Sequence, residues 1–575
     1  VRILGLSAFS RSAAAALVED GQIRAAVRED RMARTMDATL WPLRALNACL
    51  QAAEVTLAEI DLVVFHEKPF LKFARLVRDS LATWPASFQA TLATLPAWLE
   101  DGLVPNLVLE RETGITSHCL FLKHHLSHAA SAFLVSPFDQ AAVLCLDGAG
   151  EEASASWGVA QGSQIHLRQE QHFPNSLGFV VQALANHLGL PRPSCEETLM
   201  DLARSGAPSH LEGLRRLVKF QEDGSFQVDQ AFLPFQTGGR LYSPEFIRIF
   251  GPPRPPDQDF EERHLDLAAS LQALLEEVTL AMARHVAQQT GSKNLCLAGG
   301  VARNSALGTR ILEEGIFDEC FVPPAPGSDG AAMGAALAVA CARGASRPAA
   351  IHDPFLGPSW SAAHVRRVLT NAGLTFRDPD PAHLPDTLAH LLDKHGAVGW
   401  LQGRVEFSSQ ALGSRAILLD PSRPDILARV QRRLGSCRPG AGAGLALPED
   451  QASDWFELGR PSPFGLLSPS PRSQTRDRCR ALLAGQARVP VQTVAPKPHA
   501  VLAETLDRLG RNRGCPIAAV LPLQRYGEAL ACRPEDALEV CRRAGLACLV
   551  AEGLVAELPD SPPSSPAPQA RAHEP

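Results

Sequence analysis

The chain has thirteen cysteines but no Cys-x-x-Cys pair. Their odd number and apolar settings, such as Cys145 and Cys296 inside strand-like runs, suit reduced, buried thiols rather than a disulfide framework. No uninterrupted apolar run reaches about 18 residues, and no charged-then-apolar leader opens the sequence. Neither a membrane span nor secretion is expected, and a cytoplasmic protein is. A basic excess is missing too: the formal net charge is -7, which argues against nucleic acid as a bulk electrostatic partner, although a local basic cleft would escape that count. Asp560–Pro575 lacks any apolar period and reads as a disordered tail. What remains is 575 residues that are 45% hydrophobic, enough to fill the cores of two or more domains.

The segment Lys123–Glu151, KHHLSHAASAFLVSPFDQAAVLCLDGAGE, concentrates the chemistry. His124 and His128 stand four apart in a helical pattern, so both imidazoles share a face and can reach one cation. The same spacing also fits histidines that are packed or hydrogen-bonded in a core. His125 faces elsewhere and reads as structural. Ala141–Leu146 reads as a strand ending at Asp147-Gly148-Ala149-Gly150, where Gly148 and Gly150 let the backbone approach a phosphate and Asp147 can hold a cation. Further oxygen ligands have to come from outside the histidine helix; Asp147 and Asp329, the latter in Pro323–Gly330, are the candidates.

Along the chain, Ile3–Leu6, Ala13–Val18 and Ile23–Val27 read as strands joined by turns at Ser7–Ser12 and Glu19-Asp20-Gly21. Arg28–Arg34 is charged and leaves the sheet. Pro42–Ala53 reads as an amphipathic helix and Leu62–Phe65 as a strand. His66–Val77 and the aromatic-rich run to Leu99 have helical spacing and read as an inserted lid or a subunit contact, with a bare structural role the simpler reading. Asp266–Thr290 is a long helix stopped by Gly291. Leu295–Asn304, LCLAGGVARN, reads as strand, turn and helix start, with Gly299 and Gly300 open to a nucleotide and Asn304 able to hydrogen-bond ribose or phosphate; an ordinary β–α turn fits equally. The helical pattern ceases near 345–353, so a domain boundary falls between about 345 and 360, giving domains 1–350 and 351–557 and the tail 558–575. Strand and helix alternate again in the second domain, so the fold class is mixed α/β.

Several segments, in order from about residue 2 to 556, resemble the O-carbamoyltransferases of antibiotic and nodulation-factor biosynthesis. They are KPFLKFARL (Lys68–Leu76), HHLSHAASAF (His124–Phe133), LDGAGE (Leu146–Glu151), NLCLAGGVARN (Asn294–Asn304), GWLQGRVEF (Gly399–Phe407), ALGSRAI (Ala411–Ile417) and RPEDAL (Arg533–Leu538). The resemblance implies an actin-like ATPase fold in the first domain and a fold similar to threonylcarbamoyl-adenylate synthase in the second. It implies that carbamoyl phosphate and ATP, with Mg, yield carbamoyl-adenylate, whose carbamoyl group passes to a hydroxyl of a small acceptor. It further implies a divalent metal, iron by family habit with zinc or manganese compatible, on His124, His128, Asp147 and Asp329. Gly148, Gly150, Gly299, Gly300 and Asn304 would hold nucleotide, and Arg204, Arg404, Arg415 and Arg488 would hold anions.

The sequence also departs from the family pattern. Arg11 stands where a proton-accepting histidine is expected, and a guanidinium stays protonated near neutral pH. Thr198 replaces a lysine, Gln410 an arginine, and Val520–Gln524, VLPLQ, replaces a run of hydroxyl and amide donors. The alternative these departures raise is a catalytically degenerate metal- and nucleotide-binding relative that partners an active paralogue. The oligomeric state is not legible in the sequence; Phe70–Leu99 offers a contact surface that a homodimer could use.

Overall fold

The computed structural model describes residues 1–10, 12–35, 41–114, 118–190, 195–256, 258–435, 442–483 and 486–559. Arg11 and the tail expected at Asp560–Pro575 lie outside the described residues.

The first sheet is built from β1 (Arg2–Ser7), β2 (Ala14–Glu19), β3 (Gln22–Arg28), β4 (Leu62–Phe65) and β5 (Cys119–Phe121), in the order β3-β2-β1-β4-β5. The β2–β3 hairpin turns at Asp20-Gly21, both with positive φ, as an Asp-Gly pair between alternating apolar residues demands. A second five-stranded sheet comprises β6 (Gln140–Leu146), β7 (Ala153–Gln161) and β8 (Gln164–His172). After a small hairpin of β9 (Val218–Phe220) and β10 (Phe226–Val228), it is completed by β11 (Asn294–Ala298) and β12 (Glu319–Phe321). Its order, β12-β11-β6-β7-β8, repeats that of the first sheet: an antiparallel meander of three strands, then two parallel neighbours. This duplication is the two-lobed actin-like arrangement.

Between the sheets lie the helix His124–Phe133, which carries the chain from β5 to β6, and the helix Ser328–Ala342, which follows β12. Small residues make the close fit possible. A Cβ at Gly5 would stand 1.9 Å from the carbonyl of Ala332, and one at Gly334 would stand 2.0 Å from that of Ser127, so the Gly/Ala-rich helix Ser328–Ala342 locks against β1 and the histidine helix at once. The core around them is almost wholly aliphatic and buried, including Ala129, Ala132, Phe133, Leu144, Ala332 and Leu337.

A third sheet of eight strands follows: β13 (Phe376–Arg377), β14 (Ala397–Leu401), β15 (Arg415–Leu419), β16 (Gly444–Pro448), β17 (Val491–Val494), β18 (Ala518–Pro522), β19 (Cys548–Ala551) and β20 (Leu554–Glu557). Its order is β13-β20-β19-β14-β15-β18-β16-β17, mostly antiparallel, with β14/β19 and β16/β17 parallel. Fold class is thus mixed α/β throughout.

Candidate functional site

The site begins where β6 and β11 end side by side. These strands pair in parallel, Leu144 opposite Leu297, so their terminal turns, Asp147-Gly148 and Gly299-Gly300, meet. Gly299 has φ +94°, and a Cβ there would lie 2.1 Å from the Leu146 carbonyl; only glycine permits this crossing. The Gly300 N–H then donates to Asp147 Oδ1 at 2.8 Å, leaving Oδ2 directed at the histidine helix. Gly150 is needed for the same reason, because a Cβ would come within 2.8 Å of His124 Cβ.

Asp147 Oδ2 lies 3.0 Å from His124 Nε2 and 3.7 Å from His128 Nε2. The two Nε2 atoms face each other at 3.1 Å. All three groups are buried, and their ligand atoms lie within 4.8 Å of one another. Burial disfavours charge on both imidazoles. At His124 the Asp147 hydrogen bond and charge overcome this and raise the pKa, whereas His128 stays lowered by burial and by its neighbour His124. Burial would raise the Asp147 carboxyl, but the hydrogen bond with His124 and the proximity of His128 hold it well below the usual carboxylate range. Two imidazole nitrogens and a carboxylate oxygen converging on one point fit a divalent cation. His125 bonds to Ser156 Oγ at 2.7 Å, as expected of a structural histidine.

Asp329 does not join this cluster. Its carboxylate accepts from Arg28 Nη1 at 2.8 Å and from Arg303 Nη2 at 3.4 Å; the arginines' charges outweigh burial and keep it ionised. To bind the cation, Asp329 would have to give up part of that pairing, although its charge still acts on His128.

Arg28, Arg303 and Arg31 also line a cavity of about 140 Å³ between the first and third sheets' segments. Its walls include Thr198, Gln410, Leu521, Pro522 and Gln524. Thr198, Gln410 and three residues of the Val520–Gln524 run, positions that depart from the family pattern, therefore share one wall. Glu197 lines the cavity as well; its Oε2 is buried without a hydrogen-bond partner, and burial raises its pKa against the opposing charge of Arg303. The sequence offered a signal for Arg28 and Arg31 in the charged run Arg28–Arg34, which caps β3 with a short helix, Glu29–Ala33. It offered none for Glu197.

The four arginines expected to hold anions are dispersed and engaged by the protein. Arg204 pairs with Asp201 at 2.8 Å. Arg404 donates to the carbonyls of Gly357 and Leu356. Arg415 is fully buried and donates to those of Cys532, Gln402, Ser414 and Gly403. Arg488 pairs with Glu313. Asn304 caps the helix Ser305–Glu313 by accepting from the Ala306 N–H, and it donates to Gln272 at 2.7 Å.

A second buried group adjoins the triad. His66 and Glu67, at the end of β4, bring Glu67 Oε2 to 3.8 Å from His124 Nδ1; Lys72 Nζ holds Glu67 at 2.7 Å. Burial keeps His66 neutral, aided by the charge of His124.

Residues 2–337 match the family described as Carbamoyltransferase N-terminus, and residues 389–557 match Carbamoyltransferase C-terminus. An uncharacterised protein of Synechocystis sp. is 34% identical over 596 residues, 96% of each chain. The nodulation protein NolNO of Sinorhizobium fredii is 31% identical over 522 residues, covering 88% of this chain and 73% of that protein. Among solved structures, the activator of the 2-hydroxyisocaproyl-CoA dehydratase from Clostridium difficile with bound ADPNP aligns at 12% identity with a TM-score of 0.31, covering 60% of this chain and 95% of that one; this likeness is too loose to carry function. The two domain matches in chain order, together with the NolNO relative, show that the chain belongs to the carbamoyltransferase family.

Proposed function

We propose that the protein hydrolyses carbamoyl phosphate to carbamate with release of inorganic phosphate, joins the carbamate oxygen to the α-phosphate of ATP with loss of pyrophosphate, and passes the carbamoyl group of this carbamoyl-adenylate to a hydroxyl of a small acceptor with loss of AMP. The observation that carries this reading is the shared wall. Arg28 and Arg303 grip Asp329 beside the His124–His128–Asp147 cluster and also line the cavity reached by the third sheet's residues. A carbamoyl-adenylate lying there would meet cations at its phosphate and the triad at its carbamoyl end. His124, His128 and Asp147 would hold a divalent cation, which would supply Lewis acidity to the carbamoyl group.

The chain's own residues then have separable tasks. Arg28, Arg31 and Arg303 supply the positive charge that Thr198 and Gln410 do not, offsetting the lost donors of Val520–Gln524. Gly300 lets its N–H reach and fix Asp147: a Cβ there would come within 2.9 Å of Asp147 Oδ1. Glu197, with its unpartnered oxygen and raised pKa, is suited to accept the acceptor's hydroxyl proton in place of a histidine.

The test incubates purified protein with carbamoyl phosphate, ATP, Mg²⁺ and a panel of hydroxylated acceptors. A mass gain of one carbamoyl unit, with release of inorganic phosphate, AMP and pyrophosphate, is expected, and Glu197→Gln should slow transfer while leaving carbamoyl-phosphate-dependent pyrophosphate release intact. Absence of both product and pyrophosphate across the panel refutes the reading.

A further inference from the structure

The helix Pro69–Ala82 is built inside out. The side chains it buries include Arg75 and Asp79, ion-paired at 3.0 Å, while Phe70, Val77 and Leu81 form a stripe at helical spacing on its outer side and stay exposed. The following helix, Phe88–Ala97, buries no residue at all. From Ser80 to Leu99 the sequence carries no charge, yet among the described residues nine of the twelve exposed large hydrophobic side chains fall between 70 and 107. An apolar, uncharged surface of this kind on a folded chain marks a site that something covers.

We propose that a second copy of this chain covers it, through a two-fold interface in which the Pro69–Ala97 helices of both protomers pack together. Phe70, Leu81, Trp84, Phe88, Leu92 and Leu99 are 45% to 70% exposed. At about 150–250 Å² for each aromatic side chain, and somewhat less for leucine, these six offer on the order of 600 Å². The alanines, threonines and prolines between them extend the patch toward the roughly 800 Å² per partner of a stable interface. A patch without charge has nothing to attract an acidic or basic partner, but it is complementary to itself, as a two-fold contact requires. A lipid surface fits less well, because interfacial helices carry free lysines and arginines on the polar face. Here Lys72, Arg75 and Arg78 are tied to Glu67, Asp79 and Glu152, and the next charges are Glu100 and Asp101.

The interface would sit one step from the metal-binding candidate. The Lys68 N–H donates to Glu151 Oε1 at 2.8 Å, the same oxygen that accepts the His124 N–H at 3.0 Å, and Arg75 Nε donates to the Glu151 carbonyl at 2.7 Å. A partner pressing on the outer helix therefore braces the N-terminus of the histidine helix.

Light scattering of the full chain during size exclusion, across a dilution series into the submicromolar range, tests this. Twice the chain mass is expected for the parent, and a single chain mass for Leu81→Glu and for Leu92→Glu, each with unchanged circular dichroism because the substituted sites are exposed. A parent that remains monomeric at the highest concentration overturns the proposal, as does a dimer that both variants leave intact. Flotation of a monomeric parent with phosphatidylcholine–phosphatidylglycerol vesicles, lost in both variants, would assign the patch to lipid and overturn it equally.

Discussion

Replacing Asp329 by asparagine separates the two roles this carboxylate could play. It is wholly buried, with Arg28 at 2.8 Å and Arg303 at 3.4 Å, and both arginine side chains are under a tenth exposed. Asparagine keeps an oxygen for the Gly330 N–H but removes the charge, which leaves two buried guanidinium groups facing an amide. Breaking a buried pair from one side costs about 3–5 kcal/mol. Asp30 still holds Arg28 at 2.9 Å, so the lower end, about 3 kcal/mol, is expected. The partly exposed Arg2–Glu59 pair is the control, since Glu59→Gln should move the unfolding midpoint much less than Asp329→Asn. Urea unfolding of the full chain reads both. Calorimetric titration with Mn²⁺ or Co²⁺ supplies the second arm: Asp329→Asn should weaken binding by about tenfold, as an outer-shell partner does, whereas Asp147→Asn should abolish it. A variant as stable as the parent but unable to bind metal would refute this reasoning and make Asp329 a direct ligand.

Two further outcomes follow from geometry and burial. Glu29 is buried, and desolvation pushes its carboxyl up to about 7, against the hydrogen bond from the Ala45 N–H. Its folded value exceeds its unfolded one, so the native state holds the proton between about 4.5 and 7 and loses that stabilisation as pH rises through the window; Glu29→Gln should raise the melting temperature at pH values above 7 and leave it nearly unchanged below the unfolded carboxylate value. Gly150→Ala places a Cβ 2.8 Å from His124 Cβ, so metal affinity should fall at least as far as for Asp329→Asn, with less loss of stability; an unchanged titration would show that the turn does not position the histidine.

How much was legible in the sequence depended on the range of the physics involved. The His124–His128 pairing follows from helical period, and Asp147 from a short apolar strand that ends in glycines; both are local, and the geometry brings the three together. The Asp-Gly hairpin was readable for the same reason, since its backbone is decided by its own residues; the Gly299–Gly300 turn was readable as a turn, but its crossing over Leu146 was not. The pairing of Asp329 with arginines, and the partners of the four arginines expected to hold anions, were not readable either. An arginine's partner is settled by what lies across the fold, and nothing near Arg415 in sequence announces that it will spend its donors on four main-chain carbonyls. Nor does anything near Arg28 announce a carboxylate 301 residues away. The departures at Thr198, Gln410 and Val520–Gln524 looked like independent losses in the sequence. Folded, Thr198, Gln410, Leu521, Pro522 and Gln524 face one cavity whose cations come from Arg28, Arg31 and Arg303, so charge missing from one segment has a counterpart in another. A motif comparison scores each segment alone, and compensation of this kind becomes visible only when the segments share a wall.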